Sequence, residues 1–333
     1  MKKLLVLLIT ISFWCSFTLF AQTEDLYATS FEKFLNDVME NSIRNYDWND
    51  HDWEIYRNKQ LARLPINDKQ QFRNATIAAL VDLGDHHSFL MQENFSDDTN
   101  NSSTDNTKPF SITHQNGIGI VTIKGYMAKN FDPKSLLSEE LVNSFHIEFA
   151  KVQKNVSKGW IIDLSNNPGG SMIPMLAMIS PFIKNQNLGG LSSYPRHQQP
   201  QKEIFAFNGK DFIFKGLTES EFVTYSYVKQ YPIGTVNLPV MVIIGADTYS
   251  SGEIVALALE RQPNVTLIGQ PSGGLATGNA AMNLPNDFGT YLLTTSHDLD
   301  KNDNPLLSGI VSPKIELDLS KDSIEEAIRL INL

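Results

Sequence analysis

The chain has 333 residues, 41% of them hydrophobic and 19% charged, which suits one large domain with a smaller companion and excludes a disordered polymer. Its 27 Lys and Arg against 37 Asp and Glu leave a net charge of −10, which excludes the basic footprint of a nucleic-acid binder. The single cysteine excludes a disulfide framework and a cysteine-rich zinc site.

Residues 1–21, MKKLLVLLITISFWCSFTLFA, begin with Lys2 and Lys3, continue as an apolar run and end on the small Ala21. That is the layout of a secretory signal peptide. The run is barely long enough to span a ~30 Å hydrocarbon core, so a retained anchor is the weaker alternative. Cys15 follows Phe13-Trp14, which is not the setting of a lipid-anchored cysteine. Cleavage removes the one cysteine, rules out a cysteine nucleophile and leaves no stable membrane span. The expected location is secreted or periplasmic.

Residues 30–44 place Phe31, Phe34, Leu35, Val38 and Met39 at helical steps, and a second helix is predicted over 68–83, stopping at Gly84. Leu83-Gly84-Asp85-His86-His87-Ser88 follows it. Histidine there suits a general base, a helix-end partner of the dipole, or a metal ligand; no metal-binding spacing accompanies it. Residues 96–109 are polar and small and read as a linker. The expected domains are therefore 22–95, an N-terminal helical domain, and 110–333, an α/β core.

From Gly117 the pattern alternates strands and helices. Strands are predicted over 117–126, 160–164, 240–245, 265–269, 291–295 and 315–319, helices over 135–155, 171–183, 251–260 and 322–332. Phe205–Phe214 reads as a hairpin around Asn208-Gly209. No nucleotide-binding glycine motif occurs, and no cofactor is expected.

Two corners could carry chemistry. The apolar strand 240–245 runs into Asp247-Thr248-Tyr249-Ser250-Ser251-Gly252-Glu253. A serine between a strand and a helix is exposed, with backbone amides of the helix start beside it, as a nucleophile and its oxyanion site require. Ser250-x-x-Glu253 is equally a capping box. The strand 160–164 runs into Asp163-Leu164-Ser165-Asn166-Asn167-Pro168-Gly169-Gly170, where two glycines leave amides uncovered, unless this is an ordinary turn.

These stretches, with Gly117–Tyr126, Leu267–Gly274 and Ser312–Ile315, resemble in order the carboxyl-terminal-processing (tail-specific) serine protease family, over roughly 75–320. The resemblance implies a ClpP/crotonase-like core of ββα units, a polypeptide substrate, Ser250 as nucleophile, and oxyanion donors at Ser251 and at Gly169 or Gly170. The lysine base of the best-known branch maps to Leu275, and no lysine lies between Lys229 and Lys301. A PDZ module is also missing. Both departures point to the branch resembling the tricorn core and the interphotoreceptor retinoid-binding protein repeats, which implies His87 as base. The assisting glutamate of that branch is absent at Leu306-Leu307-Ser308, leaving Asp300 or Asp303 as stand-ins. The resemblance thus implies an extracytoplasmic serine endopeptidase acting on unstructured or C-terminal segments. The alternatives are a catalytically retired binder of apolar ligands or peptides, and an acyl-transfer hydrolase of small molecules.

Overall fold

The computed structural model describes residues 26–91, 108–128, 133–216, 222–318 and 320–333. The expected signal peptide and most of the expected linker lie outside them. The chain forms two compact units.

The first unit takes its described residues from 26–91, 194–199 and 279–295. Helix α1 covers 26–41, α2 Asp50–Leu61 and α3 Lys69–Asp82. Asn49 and Asp68 cap the last two, accepting from amides of the first turn. Helix α2 was not foreseen, because its apolar positions are few: Trp53 and Tyr56 are its buried hydrophobic residues. The three helices bury Phe31, Phe34, Trp53, Phe72 and Leu80 together. Their aromatic faces are not closed by helices alone. Leu284, Tyr291 and Leu293, from far along the chain, complete this core, with the Tyr291 ring edge-on to Phe34 at 5.1 Å. Strand β1, Phe89–Leu90, pairs with Leu292 and Tyr291. The unit is therefore not the contiguous 22–95 helical domain of the sequence reading.

The second unit holds a six-stranded sheet. Strands β2 (Phe110–Gln115) and β3 (Ile118–Ile123) pair antiparallel. Strands β4 (Gly159–Asp163), β9 (Val240–Ile244), β10 (Val265–Gly269) and β13 (Ile315–Glu316) continue parallel, giving the order β13-β10-β9-β4-β3-β2. Both faces are covered, which explains the unbroken apolar runs of β4 and β9. Val121, Ile162 and Val242 face a large core with Phe145, Phe149 and Ile254. Ile118, Ile161, Ile243 and Ile268 face Ala327, Ile324 and Ile328 of the closing helix α8 (Ser323–Ile331). The predicted helix over 135–155 is two, α4 (Pro133–Leu137) and α5 (Glu139–Val152), broken at Ser138 with φ 49°. Helix α6 (Met172–Met178) gives way to a 3-10 turn, and α7 is Ser251–Glu260.

A second, antiparallel ribbon runs through β5 (Asn187–Ser193), β6 (Gln201–Phe207), β7 (Asp211–Lys215) and β8 (Phe222–Ser226). The hairpin at Asn208-Gly209 is present, and its Phe205, Phe207 and Phe212 are buried in the core. They pack the interior. Residues Ser296–Asp298, the end of strand β12 (Thr290–Asp298), pair with β5.

Candidate active site

Strands β4 and β9 are hydrogen-bonded neighbours running parallel, with Asp163 opposite Ile243. The two corners suspected of chemistry therefore leave the same edge of the sheet side by side, where α/β sheets gather ligands. Several bonds tie them together. The Thr248 hydroxyl donates to the Leu164 carbonyl (2.8 Å) and the Tyr249 amide to the Asn167 carbonyl (2.9 Å).

Asn167 is fully buried and serves both corners. Its Oδ1 accepts from the Gly169 amide (2.9 Å), and its Nδ2 donates to the Ile123 carbonyl (3.2 Å). This separates the two glycines. The Gly169 N–H is spent on Asn167. Gly170 forms a parallel bridge with Tyr126, in which Tyr126 donates to the Gly169 carbonyl and Ser171 donates back to Tyr126. In that pattern the peptide groups of Gly170 itself face away from Tyr126. Its carbonyl accepts from the Ser251 hydroxyl (2.6 Å), so its N–H is aimed on the side of the serine corner.

Gly169 meets that corner directly. A Cβ on Gly169 would lie 2.8 Å from the Ser250 Cβ and 3.0 Å from the Ser251 amide nitrogen. Its φ of +94° adds a second reason for glycine. Ser250 itself has φ 52° and ψ −122°, a strained backbone for a residue with a side chain. The strain turns the residue out of the strand before α7 begins. The Glu253 amide donates to the Ser250 carbonyl (2.8 Å), and the Ser250 side chain and Glu253 also form a capping box, so the expected cap is present at this corner. Ser251, as the first residue of α7, carries an amide with no partner inside the helix. Ser250, the start of α7 and the Gly169-Gly170 turn thus meet at one corner.

Glu253 does more than the capping role its sequence position suggested. Fully buried, it accepts from the Ser250 amide (2.7 Å), the Ser272 hydroxyl (2.5 Å), the Gly274 amide (3.0 Å) and the Leu275 amide (3.1 Å). Burial pushes its carboxyl up to about 7, against the pull of those donors. The sequence signals for Asn167 and Glu253 are an N-P-G-G turn and a capping box, neither of which reveals a bridging role. Asp298 carries no such signal at all.

His87 belongs to the first unit and Ser250 to the second. Within its unit His87 sits in a tight turn after α3. The Asp85 carboxylate accepts from the His87 amide (2.9 Å), the Ser88 amide (2.8 Å) and the Ser88 hydroxyl (2.6 Å). Asn279 donates to the His87 carbonyl (3.1 Å). Burial holds the imidazole below its ordinary pKa, with Asp85 opposing, so the neutral, basic form is favoured. Asp300 and Asp303 have other work. The Asp300 carboxylate accepts from the amides of Asn302 and Asn304, and Asp303 pairs with Arg261 at 2.9 Å.

The model of peptidase family S41 matches residues 117–317, which hold both corners. The chain belongs to that family. A nisin-resistance protein of Lactococcus lactis subsp. lactis is 30% identical over 246 residues, 74% of this chain and 70% of that one. The carboxy-terminal processing protease CtpA of Bacillus subtilis is 27% identical over 169 residues, 50% of this chain and 30% of its own length. Among solved structures, a lipoprotein from Streptococcus agalactiae superposes with TM-score 0.69 at 22% identity, covering 92% of this chain and 96% of that one. The photosystem II D1 C-terminal processing protease gives 0.57 at 12% identity, covering 92% and 97%. The mixed α/β fold is thus that of S41 peptidases, a serine-protease family whose substrates are polypeptides. Among the described residues of this S41 chain, no helix is long and apolar enough to cross a membrane, and no group of three His, Cys, Asp or Glu could hold a metal ion.

Proposed function

We propose that this S41 chain is an active, extracytoplasmic serine endopeptidase that cleaves unstructured or C-terminal peptide segments. The observation that carries the reading is the Ser250 corner: a serine with a strained backbone at the start of α7, where the Gly169-Gly170 turn meets it. Ser250 attacks the peptide carbonyl, and His87 takes its proton and returns it to the leaving amine. The amides of Ser251 and Gly170 hold the oxyanion, each being worth on the order of 10²–10³ in rate. The lowered pKa of the His87 ring keeps it unprotonated near neutral pH, the form a general base needs. The name of the Lactococcus relative speaks of resistance to nisin, and a secreted or periplasmic peptidase acting on short extended peptides is consistent with it.

A fluorophosphonate probe tests the reading. Labelling in the wild type, lost in both Ser250→Ala and His87→Ala with folding retained, is the expected result. A folded wild type that takes no label but binds lipid or peptide assigns the chain to the retired binders instead. A Ser250→Ala chain that fails to fold would return Ser250 to the role of a cap.

A further inference from the structure

Resting on the peptidase reading, we propose that Glu253 is a positioning residue for its chemistry: as a carboxylate it locks the Ser250 corner to the segment 272–275, and Asp298 carries the proton that lets Glu253 remain charged. Two observations carry this, and neither belongs to a serine–histidine pair.

The first is the donor count around Glu253. The Ser272 hydroxyl accepts from the Val311 amide (2.8 Å), so its single proton is directed at Glu253. The other three partners are backbone N–H groups, which only donate. Four donors converge on one carboxyl group, and a protonated carboxyl would turn its own O–H towards one of them. The arrangement therefore fits the anion. Through it the amide of the strained Ser250 is fixed, and so is the backbone direction of its hydroxyl. The segment it is fixed to is itself pinned: the Gly273 amide donates to the Thr248 carbonyl (2.9 Å), and the Tyr249 ring lies where any Cβ on Gly273 would be.

The second is Asp298. It is 1% exposed, and neither carboxylate oxygen has a hydrogen-bond partner. It lies in an apolar hollow with Leu188, Phe205, Ile254 and Leu257, the last two on α7, the helix that bears Glu253. A buried, unpartnered carboxylate is costly, and a neutral acid is much less so. Burial and the field of Glu253 both drive Asp298 towards the neutral form. The charged groups around the pair do not reverse this. Arg261 at the C-terminus of α7 directs its guanidinium to the carbonyls of Leu299 and Asp300 and to the Asp303 carboxylate. Glu203 stands across from Leu191, which pairs with Asp298, and burial raises it too. His297 alternates to the opposite face of β12. Of two carboxyls in one low-dielectric region, the one without donors takes the proton first, and the one with four is the readier to ionise, its burial notwithstanding.

The test uses the full-length chain. Glu253→Gln replaces one of the two accepting oxygens by an NH2 group, which then faces a donor instead of accepting from it. The expected result is kcat lower by about 10–100-fold with KM within about twofold, and faster hydrogen exchange at the Ser250 amide. Asp298→Asn mimics the neutral acid. It is expected to hold kcat within about threefold, while the infrared band of a buried protonated carboxyl, present in the wild type at pH 7, disappears. If Glu253→Gln does not fold, Ser272→Ala reads the same lock: one donor fewer makes Glu253 easier to protonate, so the acid limb of kcat moves to higher pH. Wild-type kcat and amide exchange in Glu253→Gln, an unmoved acid limb in Ser272→Ala, or a protonated-carboxyl band that survives Asp298→Asn would overturn the proposal. A wild type inert to fluorophosphonate sinks the peptidase reading instead; exchange and infrared still decide whether the lock and its proton exist.

Discussion

Replacing Gly169 by alanine tests the contact between the two corners. The residue sits at φ +94°, so a side chain there carries backbone strain of about 1–3 kcal/mol. The new methyl would begin 2.8 Å from both the Ser250 Cβ and the Tyr249 carbonyl oxygen, and neither is the free end of a flexible side chain. Relieving that overlap costs roughly 1–3 kcal/mol more. The total is about 2–6 kcal/mol, and the relief can come only from parting the corners. Parting them separates the Ser250 hydroxyl from the Gly170 amide, so the rate should fall on the order of 10²–10³-fold. Gly189→Ala is the control. Its φ of +111° carries comparable strain, but its nearest neighbour is the Arg261 Nε at 3.4 Å, away from the corners. We expect denaturant melts to show both variants destabilised, and fluorophosphonate labelling to be slowed in Gly169→Ala alone. Equal labelling rates in a folded Gly169→Ala and the wild type would refute the assignment of this junction to the oxyanion site.

Asn167→Asp puts a buried carboxylate opposite the Ile123 carbonyl and beside the oxyanion donors; turnover should drop on the order of 10²-fold while peptide binding survives, as steady-state kinetics would show. Ser250→Gly should be inactive yet more stable by about 1 kcal/mol, because glycine accepts the φ of 52° without strain; paired urea melts measure this. His146 is buried, stacked 4.8 Å from Tyr231, with Nε2 donating to the Ala177 carbonyl (3.0 Å) and Nδ1 unpartnered. Burial lowers its pKa from 6.5 to about 4. Because the folded value is depressed, the unfolded chain binds the proton first. The contribution is whole above about 6.5, is lost as pH falls, and levels off near 4, with a total of roughly 3 kcal/mol. His146→Gln should flatten the acid side of the stability profile; an unchanged slope between pH 6.5 and 4 would contradict this.

The sequence made the second unit far more legible than the first. Strands β4, β9 and β10 announce themselves as apolar runs bounded by turn residues, and Asn208-Gly209 fixes its hairpin, because these signals are local. Strand β5 was missed because Asn187–Ser193 reads NLGGLSS, whose glycines look like a turn. They are accepted in a strand because a Cβ at Gly190 would collide with the Glu203 carbonyl of β6. Strand β12 is legible over 291–295, but its pairing with β1, as between Phe89 and Leu292, and the core it completes span some 200 positions, which no local pattern encodes. The site shows the same division. Ser250 and the Gly169-Gly170 pair stand at turn corners that the sequence marks, but the contact between those corners is not a local signal. Nor is the choice of Gly170 over Gly169, since it turns on where one Asn167 side chain points.

The backbone at Ser250 constrains which residues a lineage could tolerate there. A positive φ is hardest on β-branched residues, so threonine could not take the place of Ser250 without rebuilding the corner. Glycine, in contrast, would relieve the tension at once, and a lineage released from the need for a hydroxyl would drift towards it. A serine in that posture carries a standing cost that a glycine would not.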